Sequence, residues 1–515
     1  MICENRGDAE EKRRRGTTSY GPTVGCGKKK CFRRTAAAVL LLLSLLAPTL
    51  AGCMPVRPSE SRAENVKTTA LQDAKEEPDI DYGIGYKKGM TLPDEMPVLR
   101  IETDGGAAVS SKTEYVSGFA SLEESTGRFC FSEKGLSVRC RGNWTYWGTG
   151  YEKKSYRLKF DSKVNLLGIE RGASKNWVLL ANFADRSLVR TAAAFAAAGV
   201  AEGIGYVPSS AWVRLILNGR DLGVYQLCGQ TQIGKWRIDI SDDPEVVDSD
   251  YLIELDSRAI LSEGTGGDCF EAGGRKFVIK NDAFHPESAA FLKEYFGRVF
   301  AALRRGDEDE ICALVDIDSF TDMYILQEFV KNLDVGWSSF YLVKKAGGKL
   351  YLTCPWDMDL AFGNYGAYGG QSPDGLFVGN PDYAGIDNAN PLFTALCGCD
   401  FFINKKVPER FASIGRQMRD AALAEIERLY AAYADEFEEN FRIWEVLGSR
   451  VDPCPRAVWS IDSVSGNVGY LINYINRRYR FMAEYFARSA EPSGGFADAP
   501  VRLTPPYDNC KKIAV

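Results

Sequence analysis

"CPWDMDLAFGN", Cys354–Asn364, holds two carboxylates, Asp357 and Asp359, beside Trp356, Leu360 and Phe362. Ionised carboxylates among apolar side chains are costly unless a cation or a hydrogen-bonding partner offsets their charge. Immediately upstream, "SSFYLVKKAGGKLYLT" (338–353) reads as a strand pair that turns at Gly347-Gly348. Upstream of that pair, "FVKNLDVGW" (329–337) carries Asn332 and Asp334, the latter 23 residues before Asp357. A hairpin between the two segments folds them side by side and brings Asn332, Asp334, Asp357 and Asp359 together. Oxygen ligands with open positions suit Mg²⁺ (or Mn²⁺), which takes one or two carboxylates plus substrate phosphates. Such an ion would neutralise both the carboxylates and a triphosphate. The same pattern also fits aspartates that cap or salt-bridge a seam between two halves of the chain.

The two sides of this seam differ in periodicity. From 95 to about 257 the chain runs in short alternations such as "GLSVRCRGN", "SYRLKFD" and "AWVRLILNGRDLGVYQLCG". The last of these contains Asn218-Gly219 between two apolar runs, a strong hairpin signal. One Ala-rich helix, "SLVRTAAAFAAAGVA", interrupts the series. From about 286 the apolar spacing becomes three and four, as in amphipathic helices. It is clear in "PESAAFLKEYFGRVFAALRRG" and in "DIDSFTDMYILQEFVKNLD", whose acidic start suits a helix dipole. A Gly/Asn/Pro-rich loop follows over 363–390, and long helices close the chain. The expectation is α+β, with a sheet-rich half, a helical half and a loose tail over 489–515.

The sheet-rich half offers phosphate partners. "RCRGNWTYWGTGYEKKSYRLKF" carries Arg141, Lys153, Lys154, Arg157 and Lys159 among aromatics and glycines. Arg157 and Lys159 alternate in strand fashion and share one face. No GxxxxGK[ST] and no usual GxGxxG is present, so a solvated basic face fits this stretch as well as a phosphate site does.

Composition narrows the function classes. The 515 residues are 45% hydrophobic and 26% charged, which is globular. His285 is the single histidine, which disfavours His-based zinc sites and His-centred triads; a capping role before a helix suits it better. No CxxC pair repeats among the 14 cysteines, so a structural zinc site is not expected. Cys130 and Cys140 are placed to close a hairpin disulfide, but the irregular spacing reads more as scattered buried thiols. The N-terminus has the order of a targeting segment: "KKKCFRRT", then "AAAVLLLLSLLAPTLA", then "LAGC" ending at Cys53. This resembles a bacterial lipobox, and it predicts an exported protein with Cys53 lipidated on the outer face of the cytoplasmic membrane. Residues 54–94 read as a polar, flexible tether. Without residues 1–53, which hold 10 basic and 4 acidic side chains, the remainder carries 53 against 65, a net charge of −12. Nucleic acid is therefore an improbable partner.

Taken together, "RGNWTYWG", "KKSYRLKF", "KNWVLLANFADRSLVRTAAAF", "LNGRDLGVYQL", "YLIELD", "FVIK", "EFVKNLD" and "CPWDMDLAFGN" resemble the CotH kinase family. The resemblance extends over about residues 95–485. It implies an atypical two-lobed protein-kinase-like fold over 95–488, with a sheet-rich N-lobe and a helical C-lobe. It implies ATP with Mg²⁺ or Mn²⁺ as cofactors, and phosphoryl transfer to Ser/Thr of proteins on the cell surface or in a spore coat-like layer. By that resemblance Asp334 matches the catalytic aspartate. Asp357, with Asp359, matches the metal-binding aspartate; Asn332 joins the expected metal ligands by its spacing alone. Lys159 matches the nucleotide-phosphate lysine, assisted by Arg157 or Arg141. The family often has an acid in the strand after the hairpin, where this chain has Gly229, so either another acid such as Glu254 orients the lysine or nucleotide affinity is reduced. The alternative is a surface lipoprotein that keeps the fold and binds protein or carbohydrate through its outer loops.

Overall fold

The computed structural model describes residues 95–148, 151–259, 268–379 and 389–490. The leader, Cys53, the 54–94 tether and the tail after 490 lie outside the described residues.

Seven strands form the first layer: β1 Val98–Thr103, β2 Val116–Glu123, β3 Phe131–Arg141, β4 Ser155–Val164, β5 Ser174–Leu180, β6 Ser210–Leu217 and β7 Arg220–Gly229. They close into a barrel in the order β1-β2-β3-β4-β5-β7-β6. Closure comes from a parallel pairing of β1 with β6, Val98 opposite Arg214 through Ile101 opposite Leu217. All other neighbours in the barrel are antiparallel. Alternation drives the arrangement: β1 reads half-buried, buried, exposed, buried along its length, so one face of each strand fills the interior. Leu99, Leu136, Leu158, Trp177, Val213 and Leu227 meet there. Closure also leaves no unpaired strand edge. The β6–β7 turn is the expected Asn218-Gly219, with φ of 51° and 72°, the two positive values that a twisted two-residue hairpin requires. The Asn218 side chain then accepts the Thr103 N–H at 2.8 Å and ties the turn to β1.

The mixed sheet and helix content agrees with the expected α+β class, but the sheet-rich half is a closed barrel and the two-lobed kinase arrangement is not evident. The expected helical lobe also contains a sheet. Strands β8 Tyr251–Leu255, β9 Cys269–Ala272, β10 Arg275–Ile279, β11 Phe340–Lys344 and β12 Leu350–Thr353 order as β12-β11-β8-β10-β9. The β11–β12 hairpin turns around Gly347, at φ 59°. Strand β8 belongs by sequence to the sheet-rich half, yet it pairs with β10 and β11 in the second sheet, and its five residues are all buried, as in a strand covered on both faces.

The helices are α1 Trp144–Trp147, α2 Arg190–Ala198, α3 Ser288–Arg305, α4 Glu308–Leu314, α5 Ile317–Val330, α6 Pro391–Leu396, α7 Val407–Trp444, α8 Arg456–Trp459 and α9 Val464–Ala490. Helix α5 begins as expected, with Asp316 accepting the Ser319 N–H at 2.9 Å. It is not amphipathic, however: Ser319 through Val330 are all buried. Its polar residues are therefore paired inside, Asp322 with Arg410 at 2.6 Å and Glu328 with Arg478 at 2.8 Å. His285 accepts the Glu287 N–H at 3.2 Å in the turn ahead of α3, a contact that holds the turn and does not cap the helix. Cys130 and Cys140 are unbonded, as are the other described cysteines.

Gly229 has a structural cause. A Cβ there would lie 2.0 Å from Glu170 Oε1 and 3.0 Å from Arg237 Nε. Glu170 and Arg237 form a buried ion pair at 2.8 Å, over the face of Trp177. An acid at 229 would collide with Glu170 and repel it. Gly229→Ala is expected to cost about 1–3 kcal/mol by overpacking, measured by chemical denaturation. A cost near zero would mean that the pair moves aside freely.

Candidate functional site

The barrel mouth and the second sheet face each other across a cavity of about 220 Å³. The backbone that builds it is unusual. Asn182, Ser339 and Asp357 line the cavity, and all three adopt positive φ, at 47°, 58° and 53°. Non-glycine residues enter this region at a cost of order 1–3 kcal/mol each, and such residues cluster where side-chain aim matters more than local stability.

On the second-sheet side, Asn332 caps a short helical turn, Leu333–Gly336, by accepting the Asp334 N–H at 3.2 Å. Its Nδ2 reaches Trp356 O at 3.4 Å. Asn332 therefore clamps "NLD" to "PWD" from behind, is itself buried, and does not line the cavity. Asp334, Asp357 and Asp359 do. Asp357 Oδ2 accepts the Ser339 hydroxyl at 2.8 Å. The Asp334 carboxylate accepts no hydrogen bond among the described residues. Burial first, then the charge of Asp357, pushes Asp334 up to about 7, with Arg258 opposing. Burial, then Asp357, Asp334 and Asp185, pushes Asp359 up to about 7 as well.

These shifts set a pH dependence. Free Asp titrates near 3.8. Between about pH 4 and 7 the folded chain holds protons that the unfolded chain has released. The contribution of these groups is complete below about pH 4 and is lost as pH rises to about 7. Asp334→Asn should therefore gain thermal stability relative to wild type as pH rises from 4.5 to 8. Melts at several pH values check this; a pH-independent difference would contradict it.

On the barrel side, Arg141 ends β3 and lines the cavity, its guanidinium stacked on Trp356 at 5.5 Å. Lys112 joins it, donating to Asn143 Oδ1. The other basic residues of the "KKSYRLKF" region fall elsewhere. Lys153 is buried on Asn440 Oδ1 at 2.8 Å, and Lys154 holds the Tyr151 and Tyr146 carbonyls at 2.6 and 3.0 Å. Lys159 is exposed on β4 and, like Arg157, does not line the cavity. Glu254 does line it and holds a lysine, but that lysine is Lys280, at 2.9 Å.

Sequence reasoning missed Arg258, Asp256, Asn182, Ser339 and Lys112, all of which line the cavity. Arg258 donates to Ser338 Oγ and flanks Asp256 at 3.8 Å. The signal was present in "YLIELDSR", where a buried strand ends in an acid and an arginine.

Among the described residues, no three His, Cys, Asp or Glu side chains form a ready metal cage. Mg²⁺ does not need one, because it completes its shell with water and phosphate oxygens. Asp357 and Asp359 fit that ion: they are hard oxygen donors, and the charge of Asp357 opposes ionisation of Asp359.

No curated protein matches the chain. The family described as CotH kinase protein matches residues 138–482, about two-thirds of the sequence, from within β3 to α9. That span carries the whole aspartate-lined side of the cavity, and the chain belongs to the CotH kinase protein family.

Proposed function

We propose that this chain is an atypical protein kinase that transfers the γ-phosphoryl group of ATP to Ser/Thr hydroxyls of exported or surface proteins. One observation carries the reading: acidic Asp334, Asp357 and Asp359 line one side of a cavity whose other side holds Arg141 and Lys112. Asp357 and Asp359 would hold Mg²⁺ or Mn²⁺, which supplies charge neutralisation on the phosphates. Asp334 lines the cavity with a carboxylate that accepts no hydrogen bond among the described residues, so it is available as a general base for the acceptor hydroxyl. The acceptor oxygen forms a bond to the γ-phosphorus, the bond from that phosphorus to the bridging oxygen breaks, and the acceptor proton goes to Asp334. Arg141 and Lys112 bind phosphate oxygens, and Asn332 and Ser339 position the two aspartates.

Incubation of the chain with labelled ATP and Mg²⁺ or Mn²⁺ should label the protein itself or an added Ser/Thr peptide; no label with either ion sinks the kinase reading. A second reading, a surface protein that binds protein or carbohydrate partners, is favoured by the exposed position of Lys159. We also propose export and lipidation at Cys53. Cys53→Ser should lose incorporation of a radioactive fatty acid, and equal label on both proteins would refute the anchor. No helix among the described residues is long and apolar enough to cross a membrane.

A further inference from the structure

Beyond the cavity, the outer face of β3 and β4 carries an arrangement that folding alone disfavours. Arg139 sits directly opposite Arg157, two register positions from Arg141 opposite Ser155. Like charges directly opposite on neighbouring strands destabilise a sheet. Leu136, Val138 and Leu158 point into the barrel, so Arg139, Arg141 and Arg157 share the other face. Arg141 and Ser155 line the cavity, and residues two apart on a strand are separated by about 7 Å. The Arg139–Arg157 pair therefore borders the cavity edge.

None of the three guanidinium groups has an ion pair among the described residues, although the chain carries 69 acidic residues. Arg139 donates to Lys112 O and, at 3.4 Å, to Cys140 O, and it lies over the Tyr115 ring at 5.1 Å. Arg157 makes no hydrogen bond among the described residues. Its Nε, like that of Arg139, is buried without a partner. The groups facing Arg157 are Tyr115 and Asp282, of opposite sign when ionised, and the two arginines, of like sign. Half-buried like charges that face each other without an ion-pair partner are an expensive way to cover a barrel, and they are suited to receiving an anion.

We infer that Arg139 and Arg157 form an anion subsite contiguous with the cavity, which takes a phosphate-class oxyanion and extends the positive wall begun by Arg141. The oxyanion comes either from the nucleotide's phosphate tail or from a phosphorylated side chain of the acceptor. Only that choice of source rests on the kinase reading; the subsite itself rests on the charge arrangement.

The test uses the full chain with Arg157→Gln and, separately, Arg139→Gln. Three probes are titrated by calorimetry at two salt concentrations: tripolyphosphate with Mg²⁺, ATP with Mg²⁺, and a phosphoserine peptide. Each variant is expected to bind at least one probe about tenfold more weakly, with a smaller salt dependence, while its ligand-free melting temperature stays level or rises. Loss confined to ATP and tripolyphosphate supports the nucleotide as source, and loss confined to the peptide supports the acceptor. Arg157→Lys, which keeps the charge and loses the planar fork, should fall between wild type and Gln. Wild-type binding of tripolyphosphate without any transfer from ATP would sink the kinase reading and leave the subsite standing. Unchanged affinity for all three probes overturns the inference, as does wild-type failure to bind any of them. Destabilisation of both Gln variants also overturns it, since the arginines would then be structural.

Discussion

Asp357→Asn is expected to lose metal-dependent ATP binding by about 100-fold or more while keeping the wild-type fold. The fold should survive for two local reasons. Asp357 has φ 53°, and asparagine is among the residues that tolerate this region best. The Ser339 hydroxyl now donates to Oδ2 at 2.8 Å, and an asparagine carbonyl oxygen still accepts it. What disappears is a full negative charge at the metal position. Charge neutralisation dominates phosphoryl transfer, so the loss should exceed that of a proton acceptor. Calorimetric titration of ATP with and without Mg²⁺, beside a thermal melt, separates the outcomes. If the variant binds ATP–Mg²⁺ as wild type does, Asp357 holds no metal. If it unfolds, the carboxylate is structural.

Asp334→Asn should fail in a different way. Nucleotide binding is expected to remain near wild type, while phosphate transfer falls by roughly 10²- to 10⁴-fold, the usual worth of a general base. The Asp334 carboxylate is free of hydrogen bonds among the described residues, so the amide disturbs no partner. Its turn is held by the backbone, through Asn332 Oδ1 and through Trp337 N–H to Asp334 O at 2.9 Å. Above pH 7 the variant should also melt higher than wild type, because one of several mutually repelling carboxylates is gone. Single-turnover transfer and an ATP titration on the same preparation decide it. Equal loss of binding and transfer would place Asp334 in the phosphate or metal shell instead.

These two variants test a site that was half legible in the sequence. Asp334, Asp357 and Asp359 could be brought together on paper because a short hairpin separates them, and hairpin geometry is local. Asn332 was expected among the metal ligands, but its carboxamide is turned to the Asp334 N–H and Trp356 O. Nothing in residue spacing distinguishes a ligand from a clamp one bond away. The basic wall was less legible. Five cations lie between 141 and 159, and strand alternation correctly put Arg157 and Lys159 on one face. Yet only Arg141 lines the cavity. Lys153 turns inward to Asn440, 287 residues away, and no local pattern announces a partner at that distance.

The sequence by itself determined the elements with local causes. Asn218-Gly219 and Gly347-Gly348 specify hairpins because few other residues adopt positive φ without cost. The shift from a period of two to one near four marks the passage from strands to helices. The family motifs also belong to this level, since they are contiguous. Only the tertiary structure decided that the first seven strands close into a barrel, because closure depends on β1 meeting β6 across more than 100 residues. It alone assigned β8 to the second sheet and buried α5 on all sides. It also gave Gly229 its reason, in a Glu170–Arg237 pair that occupies the space a side chain would need. Periodicity shows which face of an element is apolar; which other element covers that face is set by competition among all the surfaces of the folded chain.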